Sequence, residues 1–193
     1  MSKGAPSVRY AEIERETAES RIQVVLDLDG GTRTDVQTGV LSFDRLLGVL
    51  SYHGYFDLGV SVEMLKPTHD DHFAVEGVGS ALGKAIRVAL IDSAELEKTA
   101  HTVAMMDEAL VSATLDFSGR SHLSYDLHLS RERIGDLAAE SVREFFVAMT
   151  QSGRFGLHIR TLAGDNNHHL LEACFKAVGV SIHRATRKAE RRP

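Results

Sequence analysis

An internal repeat is the feature of this sequence that most restricts its fold. Residues 45–60 align with residues 144–159 at a constant spacing of 99 positions, and after a gap of three residues the spacing becomes 96. The matching pairs are Gly54 and Gly153, Phe56 and Phe155, Leu58 and Leu157, Val60 and Ile159, His72 and His168, and Glu76 and Glu172. Self-similarity of this kind indicates a duplicated supersecondary unit. Matched histidines and glutamates are harder to obtain by chance than matched apolar residues, so we interpret the chain as two copies of one unit.

Hydrophobic periodicity predicts that each copy contains a helix that ends at a glycine, a strand, a polar loop and a second helix. The predicted strands are 22–28, 34–40, 56–62, 111–115, 123–129 and 155–159. The predicted helices are 72–91, 134–150 and 168–185, with another that begins at Ser42 or Asp44 and ends at Gly54. We expect residues 1–20 to be a loose start and residues 92–101 to be a loop or a short helix end. The chain is then one compact unit with a first half at 1–92, a second half at 93–187 and a basic tail at 188–193.

Composition and charge argue against a nucleic-acid-binding, a secreted or a membrane-spanning protein. The 193 residues carry a formal net charge of -5, so there is no general basic field for a nucleic acid partner. The single cysteine, Cys174, cannot form an internal disulfide, which is typical of a reducing compartment. The N-terminus lacks the apolar segment of a signal peptide, and no apolar run approaches the ~18 residues of a membrane span. We therefore expect a cytoplasmic protein with no nucleic acid and no membrane partner.

The repeated histidines and glutamates predict a metal site. Positions i and i+4 share one face of a helix, so His72 can meet Glu76 and His168 can meet Glu172. Imidazole and carboxylate donors suit manganese, iron or zinc. His169 lies about 100° further around the helix and so points to a separate site. A single pair of this kind is ordinarily a solvated helix pair, but two pairs at equivalent points of a repeat favour metal binding.

The other polar motifs give weaker signals. Asp70, Asp71, Asn166 and Asn167 directly precede the two histidine-bearing helices and can cap them or orient ligands. The loop Ser118-Gly119-Arg120 suits a phosphate oxygen. His69 and His101 lie in polar segments at the edge of the site. Cys174 is expected to be a buried thiol. The remaining histidines are interpreted as structural or surface residues: His53, His122, His128, His158 and His183.

Several motifs in order give the sequence a family resemblance over residues 9–187. They are Arg15-Glu16-Thr17-Ala18-Glu19-Ser20, Leu28-Asp29-Gly30, Thr38-Gly39, His53-Gly54-Tyr55-Phe56-Asp57, Asp70-Asp71-His72 with Glu76, Met106-Asp107-Glu108-Ala109, Ser118-Gly119-Arg120, Leu157-His158-Ile159-Arg160, and the block from Gly164 to Ala177. On these residues the chain resembles the imidazoleglycerol-phosphate dehydratase family of histidine biosynthesis.

The resemblance implies a fold, an assembly and a reaction. The implied fold is a two-layer α/β (α+β) unit that is duplicated, each half a four-stranded sheet with helices on one face, as in the second domain of a small-subunit ribosomal protein. The implied assembly is a homo-oligomer with a trimer building block and a 24-mer shell. The implied activity is that of a hydro-lyase that dehydrates imidazole glycerol phosphate, a small phosphorylated imidazole substrate, to imidazole acetol phosphate. The implied cofactor is Mn²⁺, which lowers the pKa of the imidazole N–H.

The resemblance also implies roles for individual residues. The candidate catalytic carboxylates are Glu19, Asp107 and Glu172. The candidate phosphate ligands are Lys98, Arg120 and Lys176. The candidate metal ligands are His72, Glu76, His168, His169, Glu172 and Glu144.

The chain departs from the family at the metal ligands. Phe73 and Arg45 stand where the family has histidines, Glu144 replaces another histidine, Val49 replaces a glutamine and Lys98 replaces an arginine. One metal set would be His72, Glu76, His169 and Glu144. The other would be His168 and Glu172 with Phe73, which cannot ligate, and Arg45, which stays protonated.

The departures lead to a hypothesis about the metal count and to a second reading of the function. We expect one metal ion rather than two, with Arg45 forming a salt bridge to Glu172 in place of the second. The alternative function is a diverged paralogue, inactive as a dehydratase, that binds or assembles with an active copy in a hetero-oligomer or acts on another phosphorylated substrate.

Overall fold

The computed structural model describes residues 9–66, 70–91, 93 and 95–189. His69, the end of the basic tail from 190 and position 92, where the boundary between the halves was predicted, lie outside the described residues. The predicted domain limits therefore stay predictions. Within the described ranges, no helix is long and apolar enough to cross a membrane.

The two halves contain the same series of elements. The first half has β1 (Tyr10–Glu16), β2 (Ser20–Asp27), β3 (Thr34–Gln37), α1 (Leu41–Gly54), β4 (Asp57–Met64) and α2 (His72–Ala89). The second half has β5 (Thr99–Met106), β6 (Ala109–Asp116), β7 (His122–Asp126), the short hairpin β8 (Arg133–Ile134) and β9 (Leu137–Ala138), α3 (Ala139–Gly153), β10 (Gly156–Ala163) and α4 (Asn167–Ala185).

Each half forms a four-stranded sheet with the same topology. The first sheet has the order β1-β2-β4-β3 and the second has the order β5-β6-β10-β7. In each sheet the first three strands are antiparallel and the last strand is parallel to its neighbour. This identity of order and direction confirms the predicted duplication and the two-layer α+β class.

The helices of the two halves pack against each other as well as against their sheets. Helix α2 packs on α3, and α1 packs on α4. Two repeat-equivalent glycines permit these contacts. A Cβ atom on Gly83 would come within 2.9 Å of the Gly153 nitrogen, and one on Gly179 within 3.1 Å of the Gly54 nitrogen, with the carbonyl oxygens of Met149 and Leu50 nearer still. The apolar core is therefore shared by both halves.

Gly83→Ala is expected to destabilise the protein by about 1–3 kcal/mol, because the added methyl group meets the backbone of α3 rather than a movable side chain. Denaturant unfolding measures the change. Gly48→Ala in α1 is the matched control, since a Cβ there meets nothing within 4 Å, and the better helix propensity of alanine should raise stability by about 0.5–1 kcal/mol. Equal destabilisation by both substitutions would contradict this packing.

Three local predictions were wrong. Residues 10–16 form strand β1 rather than a loose start, because Ala11 and Ile13 point into the core while charged residues alternate outward. Residues 99–101 belong to β5 rather than to a loop. The segment 133–138 is a hairpin, and α3 begins only at Ala139.

The predicted cap of α1 was also wrong, since no side chain of Ser42 or Asp44 caps it. The carboxylate of Asp136 instead accepts hydrogen bonds from the Leu41 and Ser42 backbone N–H groups, at 2.7 and 2.9 Å.

Candidate metal and substrate site

Local capping fixes the start of the two histidine-bearing helices. The Asn166 side chain accepts hydrogen bonds from the backbone N–H groups of His168 and His169, at 3.0 and 3.5 Å, which confirms its predicted role as the cap of α4. Asp70 accepts from the His72 N–H at 2.9 Å in the equivalent turn of α2. His72, His168 and His169 therefore lie in first turns whose backbone N–H groups are hydrogen-bonded.

The next residue in each turn ties the helix to another part of the chain. Asp71 is buried and accepts from the Ala138 N–H at 2.6 Å and the Ser141 hydroxyl at 2.8 Å. Asn167 bonds in the same way to Ser130, whose N–H lies 2.7 Å from its side-chain oxygen. These two residues position the helices rather than cap them.

Within each histidine–glutamate pair, the two side chains lie on the same face of the helix, as predicted. The distance from His72 Nε2 to Glu76 Oε2 is 4.0 Å, and the distance from His168 Nε2 to Glu172 Oε1 is 3.3 Å. Their burial differs, because the Glu76 side chain is 40% exposed and that of Glu172 only 11%.

The predicted ion pair between Arg45 and Glu172 is present. Arg45 leaves α1, which packs on α4, and its Nη2 lies 2.8 Å from Glu172 Oε1. That oxygen is also the one nearest His168. We call His168, Glu172 and Arg45 the second half-site.

The repeat places Glu144 at the position equivalent to Arg45. Glu144 leaves α3, which packs on the helix that carries His72 and Glu76. Its carboxylate is 34% exposed and pairs with Arg143 at 2.9 Å. We call His72, Glu76 and Glu144 the first half-site. One imidazole and two carboxylates are donors of the kind that a divalent ion such as Mn²⁺ takes, although these three do not lie within holding distance of one ion among the described residues. The guanidinium of the second half-site is not a metal ligand.

His169 forms a separate cluster with the turn between β5 and β6. Its Nδ1 lies 2.8 Å from Glu108 Oε2, and its Nε2 lies 3.7 Å from Asp107 Oδ2. Among the described residues these three form the one group of three or more donors close enough to hold a metal ion. The sequence reasoning placed His169 and Asp107 at the site but assigned no role to Glu108. Asp107 has a positive φ of 48° in this turn, and both acids contact α4 through His169.

The His169–Glu108 contact shifts the pKa of both groups. The hydrogen bond to Glu108 raises the pKa of His169 above its ordinary value of 6.5, and the same bond lowers the pKa of Glu108. A histidine with a raised folded pKa stabilises the fold below pH 6.5, and the contribution is lost as the pH rises through the folded pKa.

In the metal-free protein, Glu108→Gln is expected to lower the pKa of His169, as measured by the NMR shift of its ring protons against pH. Asp107→Asn is the matched control and should lower it less, because Asp107 acts only through charge and at a greater distance. The opposite ranking of the two variants would contradict the geometry.

The candidate phosphate ligands do not converge within one chain. The backbone carbonyl of Lys98 accepts from the Phe117 N–H at 2.8 Å, so Lys98 lies at the same end of the second sheet as the exposed Arg120. The Lys176 ammonium instead lies 3.5 Å from the Met105 carbonyl, near the other end of β5. The extended chain from Lys98, just before β5, to Met105 spans about 23 Å.

The remaining candidates have contacts or surroundings of their own. Glu19 lies in the turn between β1 and β2, 37% exposed, with Lys66 at 3.7 Å. His101 is in β5 and bonds the Thr114 hydroxyl at 2.9 Å. Cys174 is buried, as predicted, and burial raises the pKa of its thiol.

The sheet is duplicated, and a histidine–carboxylate pair lies at the start of the second helix of each half, in α2 and in α4. These features define a duplicated α+β protein with candidate metal sites. The chain belongs to the imidazoleglycerol-phosphate dehydratase family, whose model matches residues 38–182.

Individual relatives agree with this assignment. The chain is 45% identical over 187 residues to the imidazoleglycerol-phosphate dehydratase of Prochlorococcus marinus, covering 96% of this chain and 92% of that protein. It is 44% identical to that of a Synechococcus species, covering 96% and 91%. The crystal structure of the Staphylococcus aureus enzyme superimposes with a TM-score of 0.83 at 27% identity, covering 94% and 99% of the two chains. The corresponding Pyrococcus furiosus structure gives 0.80 at 27% identity, covering 93% and 96%.

Proposed function

We propose that this protein is a metal-dependent hydro-lyase that dehydrates imidazole glycerol phosphate to imidazole acetol phosphate in histidine biosynthesis. The observation that carries the proposal is the pair of repeat-related imidazole–carboxylate sites in a chain that matches the family over almost its whole length. The substrate supplies an imidazole for the metal site and a phosphate for the cations of the second sheet.

The reaction removes a hydroxyl from the carbon next to the imidazole ring and a proton from the neighbouring carbon. The resulting enol becomes the ketone of the product. A divalent ion held by His72, Glu76 and Glu144 would supply the positive charge that lowers the pKa of the ring N–H. Glu19, Asp107 and Glu172 are the carboxylates available to move the proton, and His169 can pass protons to Glu108.

Mn²⁺ is proposed as the metal, with iron and zinc as alternatives, because the first half-site offers mixed nitrogen and oxygen donors. His169 would complete the first half-site, but here its ring nitrogens face Glu108 and Asp107. A second copy of the chain would have to supply it, or metal binding would have to free it. The cytoplasm is the proposed compartment, since the buried free thiol fits a reducing environment.

A homo-oligomer is proposed as the active form. Lys176 lies near the opposite end of β5 from Lys98 and Arg120, so the three cations can share one phosphate only if another copy contributes to the site. Closed symmetric assembly is the usual way in which identical chains complete a site. A trimer that associates further into a 24-mer is the form we propose.

Complementation tests the function directly. A strain that lacks its own dehydratase should grow without histidine when it carries this gene, and the same strain with an empty vector should not. Growth of both on histidine is the control for viability. Soluble protein in the cells without growth would contradict the proposal.

A further inference from the structure

The two half-sites are related by the repeat but differ in charge. The first half-site has one imidazole and two carboxylates, from His72, Glu76 and Glu144. In the second half-site, Arg45 replaces the acid that Glu144 supplies to the first. Positions 45 and 144 are therefore equivalent in the duplicated fold but carry side chains of opposite charge.

The contacts at Glu172 show how the second position is filled. The nearest atoms of both Arg45 and His168 lie against the same oxygen, Oε1, at 2.8 and 3.3 Å. This carboxylate is only 11% exposed, and a charge that is largely removed from water is costly unless it is paired. A guanidinium is protonated at every relevant pH and supplies that partner permanently.

A metal ion at the second half-site would compete with this ion pair. It would share the carboxylate whose Oε1 Arg45 already contacts, and it would lie close to a fixed positive charge. The repeat offers no compensating donor, because the residue equivalent to His169 is Phe73, whose side chain is carbon only and 40% exposed. Both differences lower the affinity of this position for a cation.

We propose that Arg45 is the resident cation of the second half-site and that the protein holds one divalent ion per chain, at the first half-site. The inference rests on the proposed function, which supplies the metal at the first half-site. The Arg45 side chain is 63% exposed, so N–H groups that Glu172 does not use can donate to a ring nitrogen of the imidazole substrate. The substrate ring would then lie between a metal ion on one side and a guanidinium on the other.

Metal counting on the assembled protein tests this inference. The full chain is loaded with Mn²⁺, dialysed against metal-free buffer and analysed by plasma mass spectrometry. The expected content is one Mn per chain in the wild type. In Arg45→His, which exchanges the fixed charge for a neutral ligand, the content should rise toward two at millimolar Mn²⁺. A wild-type content of two, or an Arg45→His content that stays at one, would overturn the proposal.

Two isosteric variants test the asymmetry independently. Glu144→Gln should reduce the Mn content to well below one, and Glu172→Gln should leave it at one. Equal losses in both variants would overturn the proposal. Circular dichroism and gel filtration show whether each variant is folded and assembled.

The metal count separates this inference from the proposed function. Dehydratase activity with two Mn per chain would support the function and refute the role of Arg45. One Mn per chain, rising in Arg45→His, without turnover would support the role of Arg45 and refute the function.

Discussion

Glu76→Gln is expected to remove most of the bound metal and to lower kcat/KM by about 1000-fold. The amide keeps the size of the side chain but removes one of the two negative charges of the first half-site. Metal ions contribute several kcal/mol to stabilising developing charge, and ~4 kcal/mol corresponds to a factor of about 1000 in rate. Equilibrium dialysis with Mn²⁺ and steady-state kinetics at several Mn²⁺ concentrations measure the two effects.

Glu63→Gln is the matched control for this variant. Glu63 is also a glutamate of the first half, 63% exposed on β4, where it pairs with Arg21 at 2.7 Å. An exposed pair contributes little to stability, so metal content and kcat/KM should stay close to those of the wild type. A Glu76→Gln protein with wild-type metal content and activity would show that the first half-site is not the metal site.

Arg120→Gln is expected to raise KM by about 10–100-fold with a smaller change in kcat. Arg120 lies in an exposed loop after Gly119, whose positive φ of 83° forms the turn. Within the described part of the chain its guanidinium forms no ion pair, so it is available to a phosphate. A hydrogen bond to a charged group is worth about 1.5–3 kcal/mol, which gives this range. Arg120→Lys should recover part of the loss, because it restores the charge but not the planar fork.

The control for Arg120 comes from the equivalent loop of the first sheet. Arg33 is 91% exposed and pairs with Asp57, so Arg33→Gln removes a cation without touching the proposed phosphate site. Its KM should equal that of the wild type. If both variants raise KM equally, the rise comes from the loss of one positive charge anywhere on the protein, and the assignment of Arg120 as a phosphate ligand is wrong.

Most of the fold that was predicted correctly followed from the internal repeat. Pairing Gly54 with Gly153 and His72 with His168 anticipated two equivalent halves, and the sheets confirm them. Strand β1 was missed because its charged residues dominate the local composition, although the alternating burial of Ala11 and Ile13 follows the period of a strand. The hairpin 133–138 was missed because its apolar residues also fit a helical pattern.

The site was predictable where its residues lie close together in the sequence. Spacing within one helix fixes which residues share a face, so both histidine–glutamate pairs were predicted correctly, and the salt bridge of Arg45 to Glu172 followed from charge. No comparable spacing rule predicts which residues meet when they come from distant segments of the chain. The pairing of His169 with Glu108 depends on the turn before β6, and the cap that Asp136 gives to α1 spans the two halves.

Direct product analysis tests the central claim. The purified, metal-free protein is given imidazole glycerol phosphate with and without Mn²⁺, and the phosphorylated species are followed by ³¹P NMR and mass spectrometry. The account predicts loss of one water from the substrate only when Mn²⁺ is present, abolished by a chelator and restored by added Mn²⁺. Unchanged substrate in the presence of folded, Mn-loaded protein would contradict it.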